Sequence, residues 1–138
     1  KFRIFEDYYR KELTQINKKI RFDNNSDLLK SLESARAVIT TWDGTAFLQS
    51  LNANIPTIAY WDEKNNIIRK HVIEYFKDLR RNSVLHNNEK NIKKILLKNF
   101  NNIEDWWTEN SRASSVKNFT NMFCRDGKIE EKLINYCN

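Results

Sequence analysis

The sequence predicts an α/β protein: a parallel sheet flanked by helices, with a helical C-terminal extension. Three observations predict it. The runs "AVITTW" at 37–42 and "PTIAYW" at 56–61 are apolar and β-branched without interruption, as expected of strands buried on both faces. Around them, apolar residues recur at the 3.6-residue period of amphipathic helices. Strand and helix signals also alternate along the chain, the order that builds a parallel sheet with helices on both sides.

Taken in order, "KFRIF" at 1–5 predicts a short strand, and Phe5, Tyr9, Leu13, Ile16 and Ile20 mark a helix. "KIRF" at 19–22 predicts a strand ending at Asp23. Ser26 is placed to cap a helix that carries Leu28, Leu29, Leu32 and Ala35 on one face. After "AVITTW" comes a break at Asp43–Gly44, then a helix over 45–54 that buries Phe47, Leu48, Leu51 and Ile55. The only proline, Pro56, opens the next strand, a position proline tolerates. Polar residues 62–71 predict a loop, 72–82 a short helix and "SVLH" at 83–86 a last strand. Asn87 or Asn88 caps a helix over 89–100 with Ile92, Ile95 and Leu96 facing inward. A long helix from Ile103 aligns Trp106, Trp107, Ala113, Val116, Phe119 and Phe123, and a final one aligns Ile129, Leu133 and Cys137. The sheet this order implies is Rossmann-like. The expected division is one such domain over 1–125 and a helical tail over 126–138.

At 138 residues, 40% hydrophobic and 12% aromatic, the chain is the size of one domain and able to build a core. Its 24 basic and 18 acidic residues leave a net charge of +6, which points to an anionic partner or to a diffusely basic surface. The charges are interspersed, with no block of five of one sign, which argues against a nucleic-acid-binding tail. Two cysteines, Cys124 and Cys137, fit a reduced cytoplasmic protein. No C-x-x-C occurs and His71 and His86 stand apart, so no metal is expected. No run of 18 apolar residues is present to span a membrane. The chain opens on "KFRIF" without a methionine or a signal-peptide pattern, and is expected to be the C-terminal portion of something longer.

The stretch "TTWDGTAFLQSL" at 40–51 carries the chemistry. It holds one of two glycines and lies where a strand gives way to a helix, the edge at which open α/β sheets bind ligands. The amides of Gly44, Thr45 and Ala46 would stand unpaired in the first helical turn, and the helix dipole adds positive charge there, a combination that binds phosphate. Hydroxyls of Thr40, Thr41 and Thr45 can add hydrogen bonds. Asp43 opposes an anion unless it caps the helix, and the plainer reading is that Asp43 caps while Gly44 eases a tight turn. Lys64, Arg69, Lys70, Arg80 and Arg81 flank the loop after the second strand; Arg69 and Lys70, just beyond the strand end, are the best placed to neutralise a diphosphate leaving group, against the alternative of a solvated face. His71 or His86 is a candidate acid or base. Trp42 and Trp61 end the two strands and either stack on a ligand or join the core.

The segment "SARAVITTWDGTAFLQSLNANIPTIAYWD" at 34–62 resembles the nucleotide-sugar-binding segment of glycosyltransferases of the GT-B architecture. With "LR" at 79–80, "VLH" at 84–86 and "EDWW" at 104–107, the chain more closely resembles a group of bacterial transferases associated with surface-carbohydrate biosynthesis, over roughly residues 18–125. The resemblance implies the donor-binding half of a transferase, with a nucleoside diphosphate sugar as substrate, no cofactor, and acceptor and base supplied by an N-terminal domain. It implies a binding set of Thr41, Asp43, Gly44, Thr45, Ala46 and Gln49, with Arg69 and Lys70 stabilising the departing nucleotide. Gln49 stands where many such enzymes place a glutamate that binds the donor ribose. That difference favours the rival reading, a nucleotide- or phosphate-binding module without chemistry. The pair Trp106–Trp107, if exposed, would be a domain contact.

Overall fold

Helix α1 spans Phe2–Ile16, and the computed structural model describes residues 2–24, 27–61 and 68–124. The expected strand at 1–5 is therefore corrected: residues 2–5 are the first turn of α1. The apolar spacing that runs from Phe5 to Ile16 extends back to Phe2, and the helix takes these residues in. "KIRF" is not a strand either. Asn17 ends the helix by turning the chain: its side chain accepts from the Lys19 amide at 2.9 Å and its carbonyl from the Ile20 amide at 3.0 Å. Phe22 then lies beneath the Arg10 guanidinium, 4.8 Å from its ring centre. Residues 1–31 form one compact unit and 32–138 a second.

Helix α2 covers Leu28–Glu33. The expected cap, Ser26, lies outside the described residues, and the carboxylate of Asp27 accepts from the Leu29 amide at 3.1 Å.

The second unit is built on three parallel strands, β1 (Val38–Thr40), β2 (Thr57–Tyr60) and β3 (Leu85–His86), in the order β1-β2-β3. Val38 pairs with Thr57 and Thr40 with Ala59; on the other side of β2, Ala59 pairs with Leu85 and Tyr60 with His86. The two long apolar runs are thus parallel neighbours, joined through α3 (Thr45–Asn52) as the alternation predicts. The sheet is smaller and the chain more helical than a full Rossmann-like sheet. β2 is buried on both faces, but β1 is an edge strand among the described residues and leaves Ile39 exposed, so the expectation of burial on both faces holds for β2 alone.

Ala59 and Trp61 open one face of the sheet to a cluster with Phe47 and Leu51 of α3, Phe76 and Leu79 of α4 (Ile73–Arg81), and Val116 and Phe119 of α7 (Asn110–Phe123). Its rings meet edge to face: Phe47 on Trp61 at 5.2 Å, Phe47 on Phe119 at 5.6 Å, Phe76 on Phe119 at 5.2 Å. Each fully buried phenylalanine contributes about 1.5–3 kcal/mol, which makes this cluster the chief stabiliser of the unit.

Helix α5 (Glu89–Asn99) packs against β2 and β3, and its cap is Asn88, whose side chain accepts from the Lys90 amide at 2.8 Å. The long helix expected from Ile103 is two helices, α6 (Ile103–Trp107) and α7. The Thr108 hydroxyl bonds back to the Glu104 carbonyl at 3.0 Å, and Glu109 is extended at φ −53°, ψ 129°, which ends one helix before the next begins. Buried Arg112 spans the break: it donates to the carbonyls of Asn82 (2.8 Å) and Trp106, pairs with Glu109 at 3.1 Å and stacks on the Trp106 ring at 4.0 Å. The final helix expected with Ile129, Leu133 and Cys137 lies outside the described residues.

Candidate functional site

Chain direction fixes where the site falls. In the parallel sheet Thr40, Tyr60 and His86 all end strands at one edge, and the chain turns from Thr40 through residues 41–44 into α3. Gly44 is the residue before the first helical turn, extended at φ −82°, ψ −162°, and no side chain caps α3 there. Asp43 is half-buried and does not cap the helix, so the capping alternative is corrected. The first amides of α3 are left without the side-chain partner that capping would give them.

A recess of about 330 Å³ opens at this turn, lined by Ile39, Thr40, Thr41, Trp42, Gly44, Thr45 and Ala46. Of the expected binding set, Thr41, Gly44, Thr45 and Ala46 come together here. Asp43 does not line the recess. Thr40 is only 7% exposed, and its hydroxyl has no hydrogen-bond partner among the described residues. Buried hydroxyls in native structures are as a rule paired with protein, water or an ion.

Gln49 lines an adjoining recess of about 310 Å³ with Thr45, Leu48, Asn52, Phe123 and Cys124; Thr45 borders both. The Gln49 Oε1 atom is buried and has no partner among the described residues. Cys124 approaches the Leu48 carbonyl at 3.7 Å, and burial pushes its thiol above the usual range. Sequence reasoning missed Phe123 and Cys124 as neighbours of Gln49, because the contact joins positions some 75 residues apart and no local pattern encodes it.

Arg69 and Lys70 are exposed, at the entry to the turn of 3₁₀ helix at Lys70–Val72, and neither lines these two recesses. Lys64 lies outside the described residues. Arg81 pairs with Glu74 at 3.5 Å, beside a separate groove of about 540 Å³ between α4 and α7 that also holds Tyr75, Asp78, Asn118, Asn121 and Met122. Exposed His71 borders neither recess. His86 is buried, its Nε2 lies 2.9 Å from the Ser83 carbonyl, and burial, with the Arg80 charge, lowers its pKa.

The tryptophans divide. Trp61, 4% exposed, is core; Trp42, 68% exposed, lies over the turn at the recess. Trp107 is buried and donates to Asn54, to Oδ1 at 2.9 Å and to the carbonyl at 3.1 Å, and Trp106 lies half-buried under Arg112. The pair is thus not exposed, and the condition set for a domain contact is not met. Among the described residues no cluster of His, Cys, Asp or Glu is fit to hold a metal, and no helix is long and apolar enough to cross a membrane.

The fold and the turn define a small parallel α/β unit with an open recess at the carboxyl edge of its sheet. Residues 3–135 match the LIC12162 family of transferases, and the chain belongs to that family. No curated protein and no solved structure matches it.

Proposed function

We propose that this chain is the donor-binding half of a glycosyltransferase-like transferase in surface polysaccharide assembly, and that the recess at the start of α3 takes the diphosphate of a nucleotide sugar. Membership of a transferase family supports the class of reaction. The observation that carries the ligand is the pairing of an uncapped helix start with the orphaned hydroxyl of Thr40 in one recess. The amides of Gly44, Thr45 and Ala46 would supply donors and the positive end of the dipole. Thr40, Thr41 and Thr45 would add hydroxyl donors, and Asp43 would face solvent ions at the rim. Gln49, across Thr45, would meet the nucleoside with its free Oε1. Arg69 and Lys70 follow the carboxyl end of β2, and a role in offsetting charge on the departing nucleotide rests on that chain position.

A second reading, a nucleotide- or phosphate-binding module without chemistry, is favoured by Gln49, which offers the ribose a neutral amide. Calorimetric titration with UDP, GDP, CDP and CMP tests the proposal. Binding that weakens as salt rises is expected, since part of the attraction is between charges. No heat with any of them up to millimolar ligand would end the donor reading.

A further inference from the structure

The solvent face of α5 is built in a way the core does not explain. Ile92 is buried and Ile95, Leu96 and Asn99 are half-buried, so one side of the helix turns inward. The opposite side presents Lys90, Lys93, Lys94 and Lys98, all exposed and none engaged in an ion pair among the described residues. At 100° per residue Leu97 falls in the middle of this lysine face, and it is 79% exposed. Phe100 follows at the helix end, 49% exposed, with the Arg36 guanidinium 5.1 Å from its ring and Arg36 donating to the Asn101 carbonyl at 2.7 Å. Arg36 thus adds a fifth cation beside the apolar pair, and the one acid of α5, Glu89, sits at the far end.

We propose that this face docks on an anionic lipid bilayer surface, with Leu97 and Phe100 entering the headgroup layer and the five cations lying against lipid phosphates. Exposed apolar side chains among lysines let the apolar groups enter the interface while the cations meet anionic headgroups, the two terms that drive interfacial binding. Lysine stems are flexible and carry point charges, which suits a diffuse planar charge better than the fixed geometry of a protein partner's carboxylates. The Arg36–Asn101 contact sets the apolar end of the patch beside the start of β1, at the amino ends of the strands. The recess at α3 lies at the carboxyl ends, so either surface can be occupied with the other free, and the proposal stands independently of the donor reading.

The test is flotation of the full chain with vesicles of phosphatidylcholine alone or mixed with phosphatidylglycerol. Binding is expected only to the mixed vesicles and is expected to fall as salt rises. A lysine near an anionic surface is worth roughly fivefold in affinity, so Lys93→Glu with Lys94→Glu should weaken binding by at least about 25-fold. Leu97→Ser should weaken it about tenfold with the melting temperature little changed, because Leu97 is 79% exposed. Failure to float with anionic vesicles overturns the proposal. So does binding that is indifferent to Leu97→Ser, which would be adsorption of charge alone. Capture by duplex DNA or polyglutamate in preference to the mixed vesicles would assign the face to an acidic macromolecule instead.

Discussion

The indole of Trp42 sets its edge against Gly44: a β-carbon at residue 44 would stand 2.6 Å from Trp42 Cδ1 and 3.0 Å from Nε1. The φ of Gly44 is negative, so the backbone does not demand glycine. What demands it is the ring, which crosses the turn and would be pushed off by any side chain. Gly44→Ala should therefore leave stability within about 1 kcal/mol of the parent, because an exposed ring can swing away and alanine stiffens the unfolded chain. The indole N–H resonance of Trp42 should move, and nucleotide affinity should fall as the approach to the α3 amides narrows. A fixed resonance with a large loss of stability would show that Trp42 is anchored by the core.

Asn54 holds a left-handed backbone, φ 55°, where α3 gives way to β2, and it also accepts the Trp107 indole N–H. Alanine there meets both penalties, backbone strain and a lost acceptor, and should destabilise by about 1–2 kcal/mol in denaturant titration. Asn54→Gly keeps the left-handed conformation and the carbonyl acceptor, and should lose less than about 1 kcal/mol. Equal losses would mean that the Oδ1 bond, and not the backbone, fixes this corner.

His86 gives the fold a defined pH dependence. Burial lowers its pKa below the ordinary 6.5, the Ser83 carbonyl bond opposes that shift, and the Arg80 charge adds to it. The unfolded chain then binds the proton more readily than the folded one. Stability is unaffected above about pH 6.5 and falls as pH drops from there toward the lowered value, with a slope of at most about 1.4 kcal/mol per pH unit for one proton. Melting temperatures of the parent should decline over that window, and those of His86→Gln should decline less. Parallel curves would place the acid sensitivity elsewhere.

Much of this was legible in the chain, and the failures have a common cause. "PTIAYW" announced a buried strand because β2 is buried on both faces, so every residue obeys one rule. "AVITTW" looked the same, yet among the described residues its strand is at an edge; continuous hydrophobicity cannot distinguish a covered face from the exposed one that Ile39 occupies. "KFRIF" and "KIRF" had β-propensity, but the first continues the helical spacing of α1 and the second follows the turn at Asn17, and propensity yields to such context. At the site, Thr41, Gly44, Thr45 and Ala46 are consecutive or nearly so, and a local pattern can bring them together. The orphaned state of Thr40 and the approach of Cys124 to the Gln49 recess depend on packing between distant elements, which no window of sequence contains.

Thr40 allows the sharpest separation of fold from function. Its side chain is buried at the end of β1, its hydroxyl has no partner among the described residues, and it lines the recess with Gly44, Thr45 and Ala46. An unpaired buried hydroxyl costs about 1–3 kcal/mol relative to a methyl group of similar shape. Thr40→Val keeps the β-branched shape that the strand prefers and removes that cost, so the variant should be more stable, by about 1 kcal/mol or roughly 3–5 °C in melting temperature. If the hydroxyl is held ready for a phosphate oxygen, the same variant should bind nucleoside diphosphates about tenfold more weakly, since a hydrogen bond to a charged group is worth about 1.5–3 kcal/mol. Melting and titration of one variant would then move in opposite directions. A gain in stability with unchanged affinity would place the ligand elsewhere along α3, and a loss of stability would show that the hydroxyl serves the fold.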